Sequence, residues 1–132
     1  MKDMKIALAT DDGKKFIDRH FGDANLYKIY RLKDNQFQHI TTIDNTVDEE
    51  EEVHADPKKA KGIAQLLKQE NVQVVCSRVF GPNIKRIRKK FVCIVIGQEN
   101  LQDGLKKVED NLDLIESEWE KGRERKHLVF RD

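Results

Sequence analysis

The sequence lacks the features that mark several large classes of protein. Its 132 residues include only two cysteines, Cys76 and Cys93, both in apolar strand-like runs, which argues against the disulfide framework of a secreted domain. No apolar run approaches membrane-spanning length, and the first residues show no signal-peptide pattern. The net charge is only +1, whereas general nucleic-acid binding usually brings a strong basic excess. We therefore expect a soluble cytoplasmic protein that binds neither nucleic acid nor membrane.

Recognisable catalytic patterns are also scarce. The sequence has no Ser/His/Asp order, no phosphate-cradling GxxxxGK and no paired CxxC. A nuclease would need several carboxylates at strand ends to hold two metal ions. Asp11 and Asp12 could supply one corner of such a site, but Cys76-Ser77 stands where another acid is needed. An enzyme, in the form of a metal-dependent nuclease, is the minority interpretation.

Charge is abundant and is separated along the chain. Between Asp44 and Asp56 there are seven acidic residues and no lysine or arginine. Between Cys76 and Lys90 there are six basic residues and no acidic one. Runs of this kind are usually a solvated loop and a charged helix face. The near-zero net charge thus hides two local fields of opposite sign.

Hydrophobic patterning predicts a single α/β domain. Five β-rich or apolar runs are bounded by turn signals or helix starts, and the second and third form a hairpin; they cover residues 4–10, 26–32, 37–43, 72–76 and 91–96. Helices are predicted from Pro57, capped by Asp56, from Asn83, and from Leu101 with one apolar stripe as far as Trp119. The alternation of strands and helices in the second half favours parallel pairing with helices on both faces.

This topology predicts a ligand site at one edge of the sheet. If the strands ending at Thr10 and Cys76 are parallel neighbours, their carboxyl ends open at the same edge, where α/β sheets bind ligands. That edge would gather Asp11, Asp12, the His20 loop, Cys76, Ser77 and the helix start after Gly81-Pro82. The bases Arg78, Lys85 and Arg86 would add positive charge for an anion. Imidazole and thiolate suit iron, so a negatively charged metal–sulfur cluster fits the expected site.

Four segments of the sequence resemble one known family. They are Met4 to Asp11 (MKIALATD), His20-Phe21-Gly22 before a tyrosine-bearing strand, Val74-Val75-Cys76, and Gly81-Pro82 ahead of a helix. Over roughly residues 4–110 the chain resembles the dinitrogenase iron-molybdenum cofactor biosynthesis family, and His-Phe-Gly is the most specific element. The resemblance implies a ribonuclease H-like fold with a five-stranded mixed sheet. We expect this domain over residues 1–121 and a charged tail over 122–132.

The same resemblance implies a non-catalytic protein, related to nitrogen fixation, that binds or carries a metal–sulfur cluster. The cargo would be the iron-molybdenum cofactor or an iron–sulfur precursor, exchanged with donor or acceptor proteins by a monomer or weak dimer. The implied cofactor-binding residues are His20, Phe21, Gly22, Cys76, Arg78 and Gly81, with His20 and Cys76 as the metal ligands. Family members often carry a Gly- and His-rich segment before the first helix; here only His54 could stand in for it.

Each of these residues also has a structural interpretation. His20 could simply hydrogen-bond the loop backbone, and Cys76 could be an inert buried thiol. Phe21 could be a packing anchor, and Gly22 could allow a turn that other residues resist. The alternative function is an interaction module of the same fold, in which the last helix and residues 128–130 dock a partner and no cluster is bound.

Overall fold

One mixed sheet organises the chain. The fold was obtained as a computed structural model, which describes residues 3–45 and 57–131. The strands are β1 (Lys5–Thr10), β2 (Leu26–Lys33), β3 (Gln36–Asp44), β4 (Val74–Ser77), β5 (Val92–Ile96) and β6 (Leu128–Phe130). The helices are α1 (Pro57–Gln69), α2 (Ile84–Ile87), α3 (Leu101–Glu109) and α4 (Leu112–Glu120), with short 3₁₀ turns at Phe21–Asp23 and Gly122–Glu124. Among the described residues, no helix is both long and apolar enough to cross a bilayer.

The strands lie in the order β3-β2-β1-β4-β5-β6. β2 is antiparallel to β1 and β3, whereas β1, β4, β5 and β6 are parallel, each paired with the next. The predicted hairpin is confirmed: Asp34 and Asn35 connect β2 to β3 with φ of +53° and +63°, as a two-residue hairpin turn requires. Leu8 pairs with Cys76, so the carboxyl ends of β1 and β4 meet at one edge, as predicted.

The expectation of five strands is wrong, because the end of the chain adds a sixth. Leu128–Phe130 pairs with β5, and the Gly97 amide donates to the Phe130 carbonyl at 3.0 Å. Gly97 makes this close passage possible, since a Cβ there would lie 2.8 Å from the backbone of Arg131. Three apolar residues between polar neighbours are too short a signal to predict a strand, so the sequence predicts only a charged tail there.

The helix predicted over 101–119 is two helices. α3 ends at Glu109 and α4 begins at Leu112, with Asn111 leaving helical geometry at φ −129° and ψ 28°. The Asn111 side chain donates to the Lys107 carbonyl at 2.8 Å and closes the end of α3. Both helices pack on the same face of the sheet, so their apolar positions read as one stripe despite the break.

Each face of the sheet carries its own hydrophobic core. Side chains alternate between the faces along every strand. The core beneath α1 and α2 contains Ala9, Phe21 and Val75, and the core beneath α3 and α4 contains Leu8 and Cys76. Helices therefore cover both faces, as predicted. This alternation also decides which candidate site residues can meet.

Candidate functional site

The loop that carries His20 begins in a tightly hydrogen-bonded turn at the end of β1. The Thr10 hydroxyl accepts from the Gly13 amide at 2.9 Å and donates to the Lys15 carbonyl at 2.6 Å. Asp12 accepts from the Lys14 and Lys15 amides at 2.8 and 2.9 Å, and these bonds lower the pKa of its carboxyl. The turn thus uses Asp12 to shape the loop rather than to face a ligand.

Asp11 holds the far end of the same loop. Arg19 donates two hydrogen bonds to its carboxylate at 2.8 and 2.9 Å, and the Asn25 amide adds a third at 2.9 Å. The Arg19 hydrogen bond is the main reason why the pKa of Asp11 is lowered. Both carboxylates that a nuclease would need at this strand end are therefore engaged in loop structure.

His20 is clasped between its own loop and the loop after β4. Its backbone bridges to Val79, and its imidazole lies against Gly81. A Cβ on Gly81 would lie 2.6 Å from His20 Nδ1, and Gly81 has a φ of +75°, which side-chain-bearing residues rarely adopt. Two independent constraints thus require glycine at position 81 if the ring is to keep this place.

The aromatic residues beside His20 build the floor of the site. Phe21 stacks on Phe80 with ring centroids 5.1 Å apart and packs against Tyr27 at the same distance. Tyr27 is fully buried, and its hydroxyl donates to the Phe21 carbonyl at 2.7 Å. Burial raises the pKa of this phenol, so it remains a neutral donor. Phe21 is a packing anchor in this arrangement.

Gly22 does not adopt a backbone conformation that only glycine can adopt. Its φ is not positive, and a Cβ there would meet no atom within 4 Å. Its carbonyl accepts from the Asn45 side chain at 3.0 Å, which joins the loop to the end of β3. That structural expectation was wrong, and the geometry leaves Gly22 with open space in front of it.

The arginines at this edge are paired with aspartates. Arg78 donates to Asp18 at 2.7 Å, which adds a third link between the two loops that hold His20. Arg19 is neutralised by Asp11 in the same way. The strongly positive site that the basic run predicts is thus balanced by carboxylates from the facing loop. An open cavity of about 260 Å³ lies beside these residues, lined by Asp11, Asp12 and 15–19.

Cys76 lies on the other side of the sheet from His20. Its side chain belongs to the core beneath α3 and α4, whereas Phe21 and Phe80 belong to the opposite core. Cys76 is completely buried, and burial raises the pKa of its thiol, which disfavours the thiolate that binds metals. The structure therefore does not bring Cys76 and His20 together. Its assignment as a ligand stays a prediction that would require the sheet edge to open.

Two buried polar atoms at this edge have no hydrogen-bond partner among the described residues. They are Nδ1 of His20 and Oγ of Ser77. Ser77 pairs in register with Val95, so its side chain shares the face of Phe21 rather than that of Cys76. Buried polar atoms are nearly always satisfied, so such a pair points to a missing partner. The sequence predicts Ser77 at this edge but gives it no role in the site; its position at the end of an apolar strand is the available signal.

A complete metal site is not formed by the described residues. No three His, Cys, Asp or Glu side chains within them are grouped to hold an ion. His54 and most of the acidic run, residues 46–56, lie outside the described residues. Among the described residues, the buried polar atoms left for a ligand at this edge are the imidazole Nδ1 of His20 and the hydroxyl of Ser77.

The fold is a mixed α/β domain with a candidate site at the carboxyl ends of its parallel strands, and comparison with known proteins assigns its family. The chain belongs to the dinitrogenase iron-molybdenum cofactor family, whose model matches residues 2–111. This confirms the family that the His-Phe-Gly and Gly-Pro segments predicted, and it indicates a role related to that cofactor. No curated protein is similar enough in sequence to count as a match.

Two solved structures of a protein from Methanocaldococcus jannaschii, described as a candidate dinitrogenase, share the fold. The crystal structure at 1.70 Å resolution has a TM-score of 0.57 and 21% identity, covering 84% of this chain and 92% of that one. The NMR structure has a TM-score of 0.59 and 22% identity, covering 85% and 92%. At this level of identity the likeness extends to the fold alone.

Proposed function

We propose that the protein binds a metal–sulfur cluster as cargo and carries it between donor and acceptor proteins without catalysing a reaction. The cluster would be of the iron-molybdenum cofactor or iron–sulfur precursor type. The observation that carries the proposal is the His20 imidazole, which rests on Gly81 with Nδ1 buried and without a partner. Family membership supports the nature of the cargo.

A single imidazole suits a cargo better than a resident cofactor. Resident iron–sulfur clusters are usually held by four protein ligands, and structural zinc sites are closed in the same way. A preformed cluster brings its own sulfides, so one protein ligand can anchor it and still allow release. Imidazole is a suitable ligand for iron. His20 is therefore the proposed ligand, and Cys76 would join it only if the edge opened.

The residues around His20 supply the remaining contacts in this proposal. The Ser77 hydroxyl is without a partner but is as completely buried as Cys76, so it could donate to a sulfide of the cargo only if the edge opened. Phe21 and Phe80 form an apolar floor, and the open space before Gly22 leaves room for a bulky group. Arg78 supplies positive charge, since its present partner Asp18 is 79% exposed and can be exchanged for an anion.

The family relation also carries a proposal about the fold. We propose a ribonuclease H-like domain, supported by the order β3-β2-β1-β4-β5, in which an antiparallel hairpin joins a parallel half-sheet. Residues 1–121 would form this domain. Residues 122–132 would then be an addition to this domain that contributes β6 as the outermost strand, beside β5.

Anaerobic reconstitution tests the cluster proposal. The full chain is incubated with iron and sulfide, freed of excess reagent, and measured for bound iron and for visible charge-transfer absorption. We expect both signals in the parent and loss of most of both in His20→Ala. His127→Ala is the matched control, because His127 is exposed and far from this edge in sequence.

The Cys76→Ala variant tests separately whether the thiol contributes to cluster binding. Unchanged cluster binding in this variant would leave His20 as the anchor, and reduced binding would add Cys76 to the ligand set. Equal binding by His20→Ala and the parent would overturn the assignment of the ligand. Absence of cluster from the parent, together with a stable assembly in solution, would instead favour the interaction module.

A further inference from the structure

Three cations from separate segments lie near the amino ends of the parallel strands. This amino edge of the sheet is opposite to the carboxyl edge, where His20 lies. Lys68 lies in the last turn of α1, Lys90 just before β5, and Arg125 just before β6. The Lys68 ammonium is 5.4 Å from the ring centre of Trp119 and 5.0 Å from that of Phe91. The Arg125 guanidinium is 4.2 Å from the same Trp119 ring. Two cations thus share one indole, at distances where cation–π attraction is significant.

Arg125 is a fixed part of this cluster. It is only 7% exposed, and its Nε donates to the Trp119 carbonyl at 3.1 Å. One terminal nitrogen donates to the Lys89 carbonyl at 3.0 Å. Since a guanidinium has five N–H donors, several donors remain after these two bonds. The group is therefore held rigidly while it still has hydrogen-bonding capacity to offer.

Lys68 has no carboxylate partner among the described residues, unlike Arg19, Arg31 and Arg78. Burial lowers the pKa of Lys68, and the positive charges of Arg125 and Lys90 lower it further. The nearby Glu118 carboxylate is already occupied by the Lys121 ammonium at 3.0 Å and the Lys126 amide at 2.9 Å. Glu118 offsets part of the charge of Arg125, but no described carboxylate pairs with Lys68, and a bound anion would relieve the remaining repulsion between the like charges.

We propose that Lys68, Lys90 and Arg125 form a second ligand site, which binds a free oxyanion of phosphate size beside Trp119. Charge-assisted hydrogen bonds from lysine and arginine to an oxyanion are among the stronger polar interactions in proteins. The rigid guanidinium would orient the anion, and the two flexible lysines would close on it. This site is independent of the cluster proposal, because it lies at the other end of the parallel strands and uses none of the same residues.

Titration with inorganic phosphate tests the second site. The full chain is titrated at constant ionic strength, with chloride as the exchanged anion, and binding is followed by the emission of Trp119, the single tryptophan. Backbone amide shifts in NMR spectra provide a second signal at residues 68, 90 and 125. We expect both signals to saturate with a dissociation constant on the order of 1 mM.

The variants distinguish a site from general charge screening. Lys68→Gln removes one contact to the anion and should weaken binding about tenfold. Lys68→Arg keeps the charge and should bind nearly as well as the parent. Lys85→Gln is the control, because Lys85 is an exposed lysine of α2 outside the cluster. Saturable phosphate binding that is weakened by Lys68→Gln and not by Lys85→Gln supports the site. Failure of both signals to saturate, or equal weakening by Lys68→Gln and Lys85→Gln, overturns it.

Discussion

The residues around His20 and those around Trp119, at opposite edges of the sheet, arrange their charges in opposite ways. Beside His20, Arg19 and Arg78 each pair with an aspartate, as in the 2.7 Å contact between Arg78 and Asp18. The polar atoms without partners there belong to an imidazole and a hydroxyl. At the amino edge, two cations share the Trp119 ring, and no described carboxylate pairs with Lys68. In the two proposals made above, the first edge takes a ligand that coordinates and the second takes a ligand that neutralises charge.

The contrast explains why the basic run between residues 76 and 90 does not form the positively charged site that it predicts at the carboxyl edge. The run starts at the carboxyl end of β4 and finishes at the amino end of β5, so the fold sends its two ends to opposite edges. Arg78 pairs with Asp18 at one edge, whereas at the other edge the charge of Lys90 lowers the pKa of Lys68. A charge block along a chain therefore predicts a local field only if the fold keeps the block on one surface.

The largest effect is expected from Gly81→Ala at the carboxyl edge. The new Cβ would lie 2.6 Å from the His20 ring, and the residue would keep an unfavourable φ of +75°. We expect the free energy of unfolding to fall by about 3 kcal/mol and cluster binding to be lost with the ring position. Urea unfolding and the absorption of reconstituted protein measure the two effects.

Gly122→Ala provides the matched control for Gly81→Ala. Gly122 also has a positive φ, of +60°, but a Cβ there meets nothing within 4 Å. It should show the backbone cost alone, about 1 kcal/mol, and should bind cluster normally. If the two variants proved equally stable and equally able to bind cluster, the contact between Gly81 and His20 would have no functional part.

Gly97→Ala should produce the next largest effect, at the outer strand of the sheet. A Cβ at this position would lie 2.8 Å from the Arg131 backbone, which cannot move without displacing β6. We expect a loss of about 2 kcal/mol in unfolding free energy and faster hydrogen exchange at residues 128–130. Cluster binding at His20 should be preserved, because His20 lies beside β1 and β4, whereas Gly97 supports β6 on the outer side of β5.

Gly22→Ala is the comparison for Gly97→Ala, since neither glycine has a positive φ and only Gly97 is crowded. The Gly22 variant should be neutral, or stabilised by up to about 1 kcal/mol because its unfolded chain is less free. A Gly97 variant as stable as the Gly22 variant would contradict the close passage of β6.

Local pattern was enough to predict most of the fold. The strand runs, the hairpin turn and the strand–helix alternation each depend on neighbouring residues, and the structure confirms them. β6 could not be predicted, because its three residues become a strand only against β5 and beside Gly97. The break at Asn111 was hidden because α3 and α4 bury the same face.

The candidate site was predictable in its location but not in its membership. The carboxyl edge follows from parallel pairing of β1 with β4, and the Gly81 contact with His20 lies there. Cys76 and Ser77 are adjacent in sequence, so their side chains lie on opposite faces of the sheet. A shift of one residue in the predicted alternation of β4 would exchange those faces. A strand prediction uncertain by one residue cannot resolve that choice, so the assignment of Cys76 as a ligand stays a prediction.

A smaller effect is expected from pH at the loop that carries His20. The pKa of Asp11 is lowered from its ordinary value of 3.8 by the Arg19 hydrogen bonds. Stability from this carboxylate is therefore complete above pH ~4 and is lost as the pH falls through the lowered folded-state pKa. Asp11→Asn should flatten that part of the stability profile. An unfolding midpoint with the same pH dependence below pH ~4 in both proteins would show that Asp11 does not stabilise the loop.

The smallest effect on stability is expected from Asp18→Asn, which makes the carboxyl edge resemble the amino edge. Asp18 is largely exposed, so the loss of its pair with Arg78 should change the unfolding free energy by less than about 0.5 kcal/mol. The variant should nevertheless retain an anionic cluster longer, because Asp18 no longer competes with the cluster for the charge of Arg78. The rate of cluster release to a chelator measures this, with Asp3→Asn as the control, since Asp3 pairs with Arg31 at 2.8 Å outside this site. Equal release rates in both variants and the parent would show that Arg78 takes no part in holding the cargo, and the coordination by His20 would have to hold it alone.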